Sequence, residues 1–308
     1  SIGAFMSTTS HSVPVVVNWH LTEACNFSCR YCYAHWERAE SIKDLIREEH
    51  QVRALVTELG RFFRSDEAAR KFGFQGVNPR LNIAGGEPLL FPSAVQTAVH
   101  QARRLGIRAS LITNGSFLTE ELCESLAPGL DMLGVSIDSG NADTNNLIGR
   151  VDSHGRVLNL DSLSRSFEVL RRCNPASAVK LNTVVNRLNW QDDLSNVVDL
   201  VEPEKWKILR ALPVVDQTTT VTDIQFRAFV ARHAAYRSIA VVEDNQDMQE
   251  SYIMVDPQGR FFQNSPCSAG YQYSQPILEV GAEKAFEQVN FNPERFLSRY
   301  SKEAGGIA

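Results

Sequence analysis

The feature that most constrains this 308-residue chain is the run CNFSCRYCY, in which Cys25, Cys29 and Cys32 have a CxxxCxxC spacing. The run follows an apolar, strand-like stretch at Val13–Trp19. A [4Fe-4S] cluster held only by protein takes four thiolates. Three thiolates in one loop would therefore leave one iron open to a molecule other than protein.

Two other uses of clustered cysteines fit the sequence less well. Structural zinc takes four closed ligands, whereas Cys123, Cys173 and Cys267 stand singly, and His20 or His35 would have to be the fourth ligand. A disulfide within so short a loop would be strained, and we see no secretory signal. We expect the three single cysteines to be small buried residues.

Composition narrows the class of protein. The chain is 43% hydrophobic and 22% charged, and no stretch has the roughly 20 apolar residues of a membrane span. The net charge of −5 argues against a nucleic-acid binder with a basic face. We expect a soluble, cytoplasmic protein without a membrane or nucleic-acid partner. We interpret residues 1–5, before Met6, as an expression remnant and expect residues 1–12 to be disordered.

Strand and helix patterns alternate along the chain. Apolar runs typical of buried parallel strands lie at Val13–Trp19, Arg80–Ala84, Arg108–Thr113, Met132–Ile137, Ala178–Val185 and Trp206–Leu212. Helices are predicted at Ile42–Phe72, Ser93–Leu105, Thr119–Leu126, Ser162–Cys173 and Gln191–Leu200, with starts at Thr119 and Asp161. This alternation predicts an α/β fold, a partial (β/α)6 TIM-like barrel over residues 13–212 with a C-terminal extension over 213–308.

Polar motifs fall at the predicted carboxyl ends of the strands, where barrel enzymes place their sites. AGGEP closes the second strand, and its glycines Gly85 and Gly86 let backbone approach a ligand closely. Asn114 follows the third strand, and Ser136 and Asp138 follow the fourth. Each motif alone is also ordinary turn chemistry, since Gly-Gly and Asn-Gly are common in turns.

The cysteine spacing followed by an aromatic residue resembles the radical S-adenosylmethionine (SAM) superfamily. The resemblance implies that the amino and carboxylate groups of SAM bind the open iron, and that an electron from the cluster splits SAM into methionine and a 5'-deoxyadenosyl radical. It also implies a set of SAM contacts, in which the GGE loop binds the methionine amine: Tyr31, Gly85, Gly86, Glu87, Asn114, Ser136 and Asp138.

A longer series of motifs resembles one family within that superfamily, the viperins, in their prokaryotic form. The series covers Val15 to about Arg299 and comprises NxHx4CxxxCxxC, LNIAGGEPLL, SLITNGSFL, LGVSIDS, NLIGR, VKLNTVVNRLN, EKWKILRAL, SYIMVDPQGRFF and ILEVGAEKAF. The family converts a ribonucleoside triphosphate to its 3'-deoxy-3',4'-didehydro form, which terminates viral RNA chains. The resemblance therefore implies antiviral defence, CTP or UTP as substrate, and an external electron donor of the flavodoxin or ferredoxin type.

A triphosphate pocket needs several cations, and this chain has candidates. Lys180 and Lys207 lie in otherwise apolar strands, where an unpaired buried ammonium would be costly. Asn182 is two residues from Lys180 and so shares its face of the strand. Arg187, one residue beyond VVN, is a further candidate, with solvation of a strand end as its alternative role. The resemblance assigns phosphate binding to Arg150, Lys180, Asn182 and Lys207, and places Asn18 and His20 near the cluster or the base.

The sequence departs from animal viperins at two positions. Their cluster loop continues with a phosphate-binding Lys, whereas this chain has YAHWER, so His35 and Arg38 are the candidate replacements. Gln258 replaces a Tyr of the C-terminal segment and is a candidate substrate contact. An amphipathic membrane helix is not seen, which favours the cytoplasm. The alternative is a radical SAM enzyme acting on a peptide or cofactor precursor. Such an enzyme is expected to have further cysteine clusters near its C-terminus, whereas only Cys267 lies there in this chain.

Overall fold

The structure, a computed structural model, describes residues 15–32, 43–74, 78–211, 213, 216–243, 252–264, 270–292 and 294. The strands of this described part are β1 (Val16–His20), β2 (Arg80–Ala84), β3 (Arg108–Thr113), β4 (Leu130–Ser136), β5 (Ala178–Val185), β6 (Lys205–Arg210), β7 (Ala240–Glu243), β8 (Ile253–Val255), β9 (Arg260–Asn264) and β10 (Tyr271–Pro276). They form one sheet in the order β10-β9-β8-β1-β2-β3-β4-β5-β6-β7.

Helices connect the strands. The α-helices are α1 (Glu49–Phe63), α2 (Asp66–Phe72), α3 (Pro92–Arg104), α4 (Glu120–Leu126), α5 (Ala142–Ile148), α6 (Leu160–Cys173), α7 (Ser195–Val201), α8 (Asp223–Arg232), α9 (Ile277–Val280) and α10 (Ala282–Glu287). Short 3-10 turns precede or follow several of them. No described helix is long and apolar enough to cross a membrane.

Strands β1 to β6 neighbour one another in chain order and pair in parallel. Parallel strands joined by helical crossovers place all their carboxyl ends at one edge of the sheet. The predicted partial (β/α)6 barrel is therefore confirmed. Two further parallel strands extend it, since β7 pairs with β6 and β8 pairs with β1.

The two faces of the sheet differ in chemistry. On one face Trp206 packs edge-on against Phe229 and His233 of the α8 segment, so this is the face that the helices cover. Leu181 pairs in register with Trp206, and both side chains are fully buried. Side chains alternate along a strand, so Asn182 and Lys207 point to the opposite face. We call that opposite side the inner face.

A group of phenylalanine rings joins the C-terminal helices to the barrel. Rings stack edge to face within about the 4.5–7 Å range that favours such contacts, and we call this group the phenylalanine cluster: Phe62, Phe63, Phe72, Phe74, Phe261 and Phe286. Outside it, Lys71 of α2 forms ion pairs with Glu283 and Glu287 of α10. The C-terminal helices are thus held by ring packing, by these surface ion pairs and by the Glu58 carboxylate, which accepts from Ala282 N at 2.9 Å.

The structure corrects several predicted elements. The single helix at Ile42–Phe72 is wrong, because α1 ends at Phe63 and Ser65 caps the next helix by accepting the Ala68 N–H at 3.1 Å. Thr119 caps α4 as predicted, but Asn159 rather than Asp161 caps α6. Cys123 is buried as expected, whereas Cys173 is exposed.

Some predictions fall outside the described residues. These are the disordered segment 1–12 and the roles of His35, Arg38 and Cys267. The division of the chain at residue 212 into a barrel and an extension remains a prediction. The structure adds that strands on both sides of that position belong to one sheet.

Candidate functional site

The cysteine loop leaves the carboxyl end of β1. Its first residue, Leu21, still donates to the carbonyl of Ala84 at 2.9 Å, so the loop begins beside the end of β2. Cys25 is exposed, Cys29 and Cys32 are partly buried, and a turn joins the last two because Cys32 N donates to Cys29 O at 3.0 Å. The loop therefore lies across the barrel mouth.

Two glycines hold the loop by close backbone contact. Gly86 N donates to Thr22 O at 2.7 Å, and a Cβ on Gly86 would lie 2.1 Å from Ala24 O. On the other side Gly149, at φ 92°, accepts from Ser28 N at 3.0 Å, and its Cβ would lie 2.2 Å from Ser28 O. A larger residue at either glycine would push the loop away. The AGGEP and NLIGR motifs thus pack against the two sides of the cysteine loop.

The thiols are surrounded by N–H donors. Cys25 Sγ accepts from Phe27 N at 3.4 Å, and Asn114 Nδ2 lies 4.0 Å away. Arg150 Nη1 lies 3.6 Å from Cys29 Sγ. Burial raises the pKa of Cys25, and burial opposed by Arg150 raises the pKa of Cys29 to about 11. Cys25 and Cys29 are therefore protonated without metal, and metal binding would release their protons.

The donor set fits an iron–sulfur cluster better than a single zinc ion. Within the described ranges, no three His, Cys, Asp or Glu side chains converge as ligands of one ion must. A [4Fe-4S] cluster binds each thiolate at a different iron, so its cysteines need not converge. Cys25, Cys29 and Cys32 lie in one short loop, and the backbone hydrogen bond of 3.0 Å from Cys32 to Cys29 keeps the last two close together. These three residues would hold the cluster.

Glu87 of the GGE motif has an internal role. Its carboxylate is fully buried and accepts from Leu89 N at 2.9 Å, Thr113 Oγ1 at 2.6 Å and Asn114 N at 2.7 Å. Burial raises its pKa, opposed by these hydrogen bonds. Glu87 therefore fixes the TNG turn relative to the GGE loop. Direct contact of Glu87, Gly85 and Gly86 with SAM remains a prediction.

Asn114 links that turn to the cysteine loop. Its Nδ2 donates to Asn26 Oδ1 at 2.8 Å, and its Oδ1 accepts from Ser116 N at 3.0 Å. Asn26 in turn donates to Ser116 Oγ at 2.9 Å. The turn interpretation of Asn114 is thus correct, and the same contacts place it beside Cys25, where the predicted SAM contact would be made.

A buried ion pair lies on the other side of the loop. Arg150 Nη1 is 3.7 Å from Asp138 Oδ2 and 3.0 Å from Tyr31 Oη, while Nη2 donates to Ser136 O. Tyr31 Oη also donates to Asp138 Oδ2. The exposed fraction is 7% for Arg150 and 0% for Asp138. Burial, and then Asp138, hold the Tyr31 pKa well above its usual value.

These contacts bring together residues that the sequence predicted separately. Ser136 and Asp138 were predicted from the end of β4, Tyr31 from the cysteine run, and Arg150 from NLIGR. Arg150 was predicted to bind phosphate, and that contact stays a prediction. A cavity of about 60 Å³ opens beside this group, with Phe27, Ser136, Asn145, Arg150 and Leu158 among its lining residues.

The inner face carries the remaining predicted cations. Asn182 and Lys207 are register partners on β5 and β6, and Lys180 lies on the same face of β5; all three are buried. Lys207 Nζ forms an ion pair of 2.8 Å with Glu243 of β7. Glu243 was not predicted, because its strand was missed. The sequence feature that could have indicated Glu243 is its position directly after the apolar pair Val241–Val242.

A second inner-face group was also missed. Ser110 Oγ donates to Asn82 Oδ1 at 2.8 Å, Asn82 Nδ2 donates to Asn18 Oδ1 at 2.8 Å, and Asn18 Nδ2 lies 3.4 Å from Ile253 O. Of these side chains only Asn18 had been predicted as a site residue. A polar residue inside the strand RLNIA was the signal that points to Asn82. The chain of hydrogen bonds fixes the Asn18 amide across four strands.

The last three predicted residues are dispersed. His20 ends β1 on the inner face, its ring centroid is 5.5 Å from that of Phe262, and burial lowers its pKa to about 4. Gln258 is buried in the turn between β8 and β9. Arg187 is exposed, and its backbone N–H donates to Thr219 O at 2.9 Å. The structure thus brings His20 to the inner face but leaves the Arg187 side chain at the surface.

The fold and the cysteine site define the class of a radical SAM enzyme. The family model described as the radical SAM superfamily matches residues 19–185. A solved structure of anSMEcpe with bound AdoMet is similar at a TM-score of 0.62, covering 92% of this chain and 79% of that chain. Their sequence identity is 12%, so this likeness concerns the fold alone.

Relatives of higher sequence identity assign the chain to one family within this class. This chain is 41% identical to the S-adenosylmethionine-dependent nucleotide dehydratase of Pseudoalteromonas ulvae, over 93% of this chain and 92% of that protein. It is also 41% identical to the protein of the same name from Psychrobacter lutiphocae, over 94% and 95%. The chain therefore belongs to the S-adenosylmethionine-dependent nucleotide dehydratase family. The predicted resemblance is confirmed, and the family uses a [4Fe-4S] cluster and SAM.

Proposed function

We propose that this enzyme dehydrates a ribonucleoside triphosphate, CTP or UTP, to its 3'-deoxy-3',4'-didehydro analogue. The observation that carries the proposal is the inner face of β5 and β6, where Lys180, Asn182 and Lys207 are buried together. Lys207 also pairs with Glu243 at 2.8 Å, and two ammonium groups beside an amide on one face are suited to hold a triphosphate. Ser136, which is in register with Asn182, joins this face to the cysteine loop through Arg150.

The residues of this chain bind and position the reactants. When bound, the cluster and SAM supply a 5'-deoxyadenosyl radical that removes the hydrogen at C4' of the ribose. Asn114, Ser136 and Tyr31 are the proposed contacts to SAM beside the thiols. Lys180 and Lys207 hold the phosphates, and Asn182 orients the group between them. Correct placement of two reactants is itself a large share of catalysis in such sites.

The C-terminal part of the chain is proposed to complete the substrate pocket. Met254 of β8 is the register partner of Asn18, and Phe262 of β9 packs against Cys32 and Tyr273. This apolar wall stands next to Asn18 and His20 at the end of β1. It supports a role in excluding water from the reacting ribose.

Separate anaerobic incubations with CTP, UTP, GTP and ATP test the substrate. Reconstituted protein, SAM and dithionite are combined with one nucleotide, and the products are measured by mass spectrometry. We expect one pyrimidine triphosphate to lose one water, with formation of 5'-deoxyadenosine. Release of 5'-deoxyadenosine that none of the four nucleotides stimulates would contradict the proposal and favour a peptide or cofactor precursor as substrate.

The product lacks a 3'-hydroxyl and would terminate viral RNA chains, so we propose a role in antiviral defence in the cytoplasm. The electron would come from a donor of the flavodoxin or ferredoxin type. Host cells expressing the wild type should resist an RNA-synthesising virus, whereas cells expressing Cys29→Ala should not. Equal protection by both proteins would contradict this role.

A further inference from the structure

Arg150 is a buried cation in contact with a cysteine of the cluster loop. Its Nη1 lies 3.6 Å from Cys29 Sγ, and its guanidinium carbon stands 5.6 Å from the centroid of the Phe27 ring. We propose that Arg150 and Asp138 together set the reduction potential of the [4Fe-4S] cluster. Arg150 favours the reduced cluster, and Asp138 limits that effect.

The physical reason is the change of charge on reduction. An electron from the external donor enters the cluster, so the negative charge at the cysteine loop increases by one and no bond is broken. A neighbouring cation stabilises the more negative form, and the effect is strong where water is excluded. Hydrogen bonds to the cluster's sulfur ligands also tune the potential. Arg150 offers both its charge and an N–H group to Cys29.

Asp138 opposes this effect from its position beside Arg150. Its Oδ2 is 3.7 Å from Arg150 Nη1, and its Oδ1 accepts from Val184 N at 2.9 Å. The carboxylate is fully buried, so solvent does not screen it. Removing the Asp138 charge would leave the Arg150 charge uncompensated beside the cluster.

The pair is fixed in place. Tyr31 Oη donates to Asp138 and accepts from Arg150 at 3.0 Å, and Arg150 Nη2 donates to Ser136 O. Neither charge can therefore rotate away when the cluster changes oxidation state. Asp138 and Tyr31 act as positioning residues, because they hold the guanidinium against Cys29.

Two variants of opposite sign test the proposal. Asp138→Asn should raise the midpoint potential of the cluster, and Arg150→Gln should lower it. The potential is measured by redox titration of the full, reconstituted chain, with the reduced cluster followed by electron paramagnetic resonance. SAM and nucleotide are omitted, so the result is independent of the proposed substrate. Iron and sulfide contents are measured to confirm equal cluster loading.

Lys71→Gln is the matched control, because it removes one positive charge at the surface of α2. It should leave the midpoint potential unchanged. Arg150→Lys keeps the charge but loses the planar fork, so its potential should lie between those of wild type and Arg150→Gln. If Arg150→Gln does not assemble a cluster, the other two variants provide the test. The midpoint potential of Arg150→Lys should then be lower than that of the wild type, and that of Asp138→Asn should be higher. Unchanged potentials in the Arg150 and Asp138 variants, or shifts of the same sign in both, would overturn the proposal.

Discussion

The two faces of the barrel sheet differ in what they contribute to stability and to function, although the same strands form both. On β5, Leu181 and Val179 pack under the helices, while Lys180 and Asn182 lie on the inner face. The helix-covered face is mainly apolar and stabilises the fold by burial. The inner face buries lysines and amides, which cost stability unless they are paired. Substitutions on the two faces should therefore separate stability from activity.

The largest effect is expected for Cys29→Ala in the loop above the inner face. With two thiolates left, the cluster should not assemble, and SAM cleavage should be abolished. Reconstituted protein should lack the brown iron–sulfur absorbance, and chromatography should detect no 5'-deoxyadenosine. The unfolding transition of the metal-free protein should stay close to that of the wild type. Full SAM cleavage in this variant would contradict the cluster assignment.

Phe286→Ala should have the largest effect on stability. Phe286 is buried in the phenylalanine cluster and contacts Phe62, Phe63 and Phe261. The cavity should lower the free energy of unfolding by about 3–5 kcal/mol, measured by urea denaturation. Phe117→Ala, at a ring that is 41% exposed, should stay within about 0.5 kcal/mol. Equal losses of unfolding free energy in Phe286→Ala and Phe117→Ala would contradict the stabilising role of the phenylalanine cluster.

Lys207→Gln should weaken substrate binding while keeping a donor for Glu243. Losing a charged contact to phosphate is worth about 1.5–3 kcal/mol, so we expect KM for the triphosphate to rise roughly ten- to hundredfold. The unfolding midpoint should shift little. Lys71→Gln, which removes an exposed ammonium, is the control and should leave KM unchanged. An unchanged KM in Lys207→Gln would remove Lys207 from the phosphate site.

The last expected effect comes from His20 and is confined to acidic pH. Burial lowers its pKa from 6.5 to about 4, so the unfolded chain binds the proton more readily between these values. The free energy of unfolding should therefore decrease as pH falls from 6.5 towards 4. Above pH 6.5, His20 should not affect it. His20→Gln should flatten the urea-denaturation profile in this window. His154→Gln, at an exposed position, should reproduce the wild-type profile.

Sequence patterns predicted the barrel well because apolar runs and turn residues are local signals. All six predicted strands exist, and their order in the sheet follows the chain. The strand at Ile253–Val255 was missed because it is only three residues long and owes its place to β1. The break at Ser65 was hidden inside one continuous helical pattern. Tertiary pairing, rather than local preference, decided these elements.

The candidate site was predicted in its parts but not in its connections. The cysteine spacing, GGE, Asn114 and Asp138 could be singled out as sequence motifs. The ion pair of Arg150 with Asp138, and that of Lys207 with Glu243, depend on distances between segments far apart in sequence. The SAM contact of Glu87 stays a prediction, and the sequence did not reveal that its carboxylate accepts hydrogen bonds from three groups of the protein. Motifs give residue types, and only the fold gives their partners.

The pairing of β8 with β1 has a consequence for synthesis of the chain. Asn18 and Ile253 lie side by side although 235 residues separate them. The cysteine loop leaves the ribosome early, but its neighbours on β8 and β9, including Phe262 against Cys32, are made last. Such distant contacts form slowly because a long loop must close first. A nascent chain therefore exposes its three thiols to the cell before β8 and β9 cover Cys32, and cluster loading into the finished site has to wait for translation to pass Phe262.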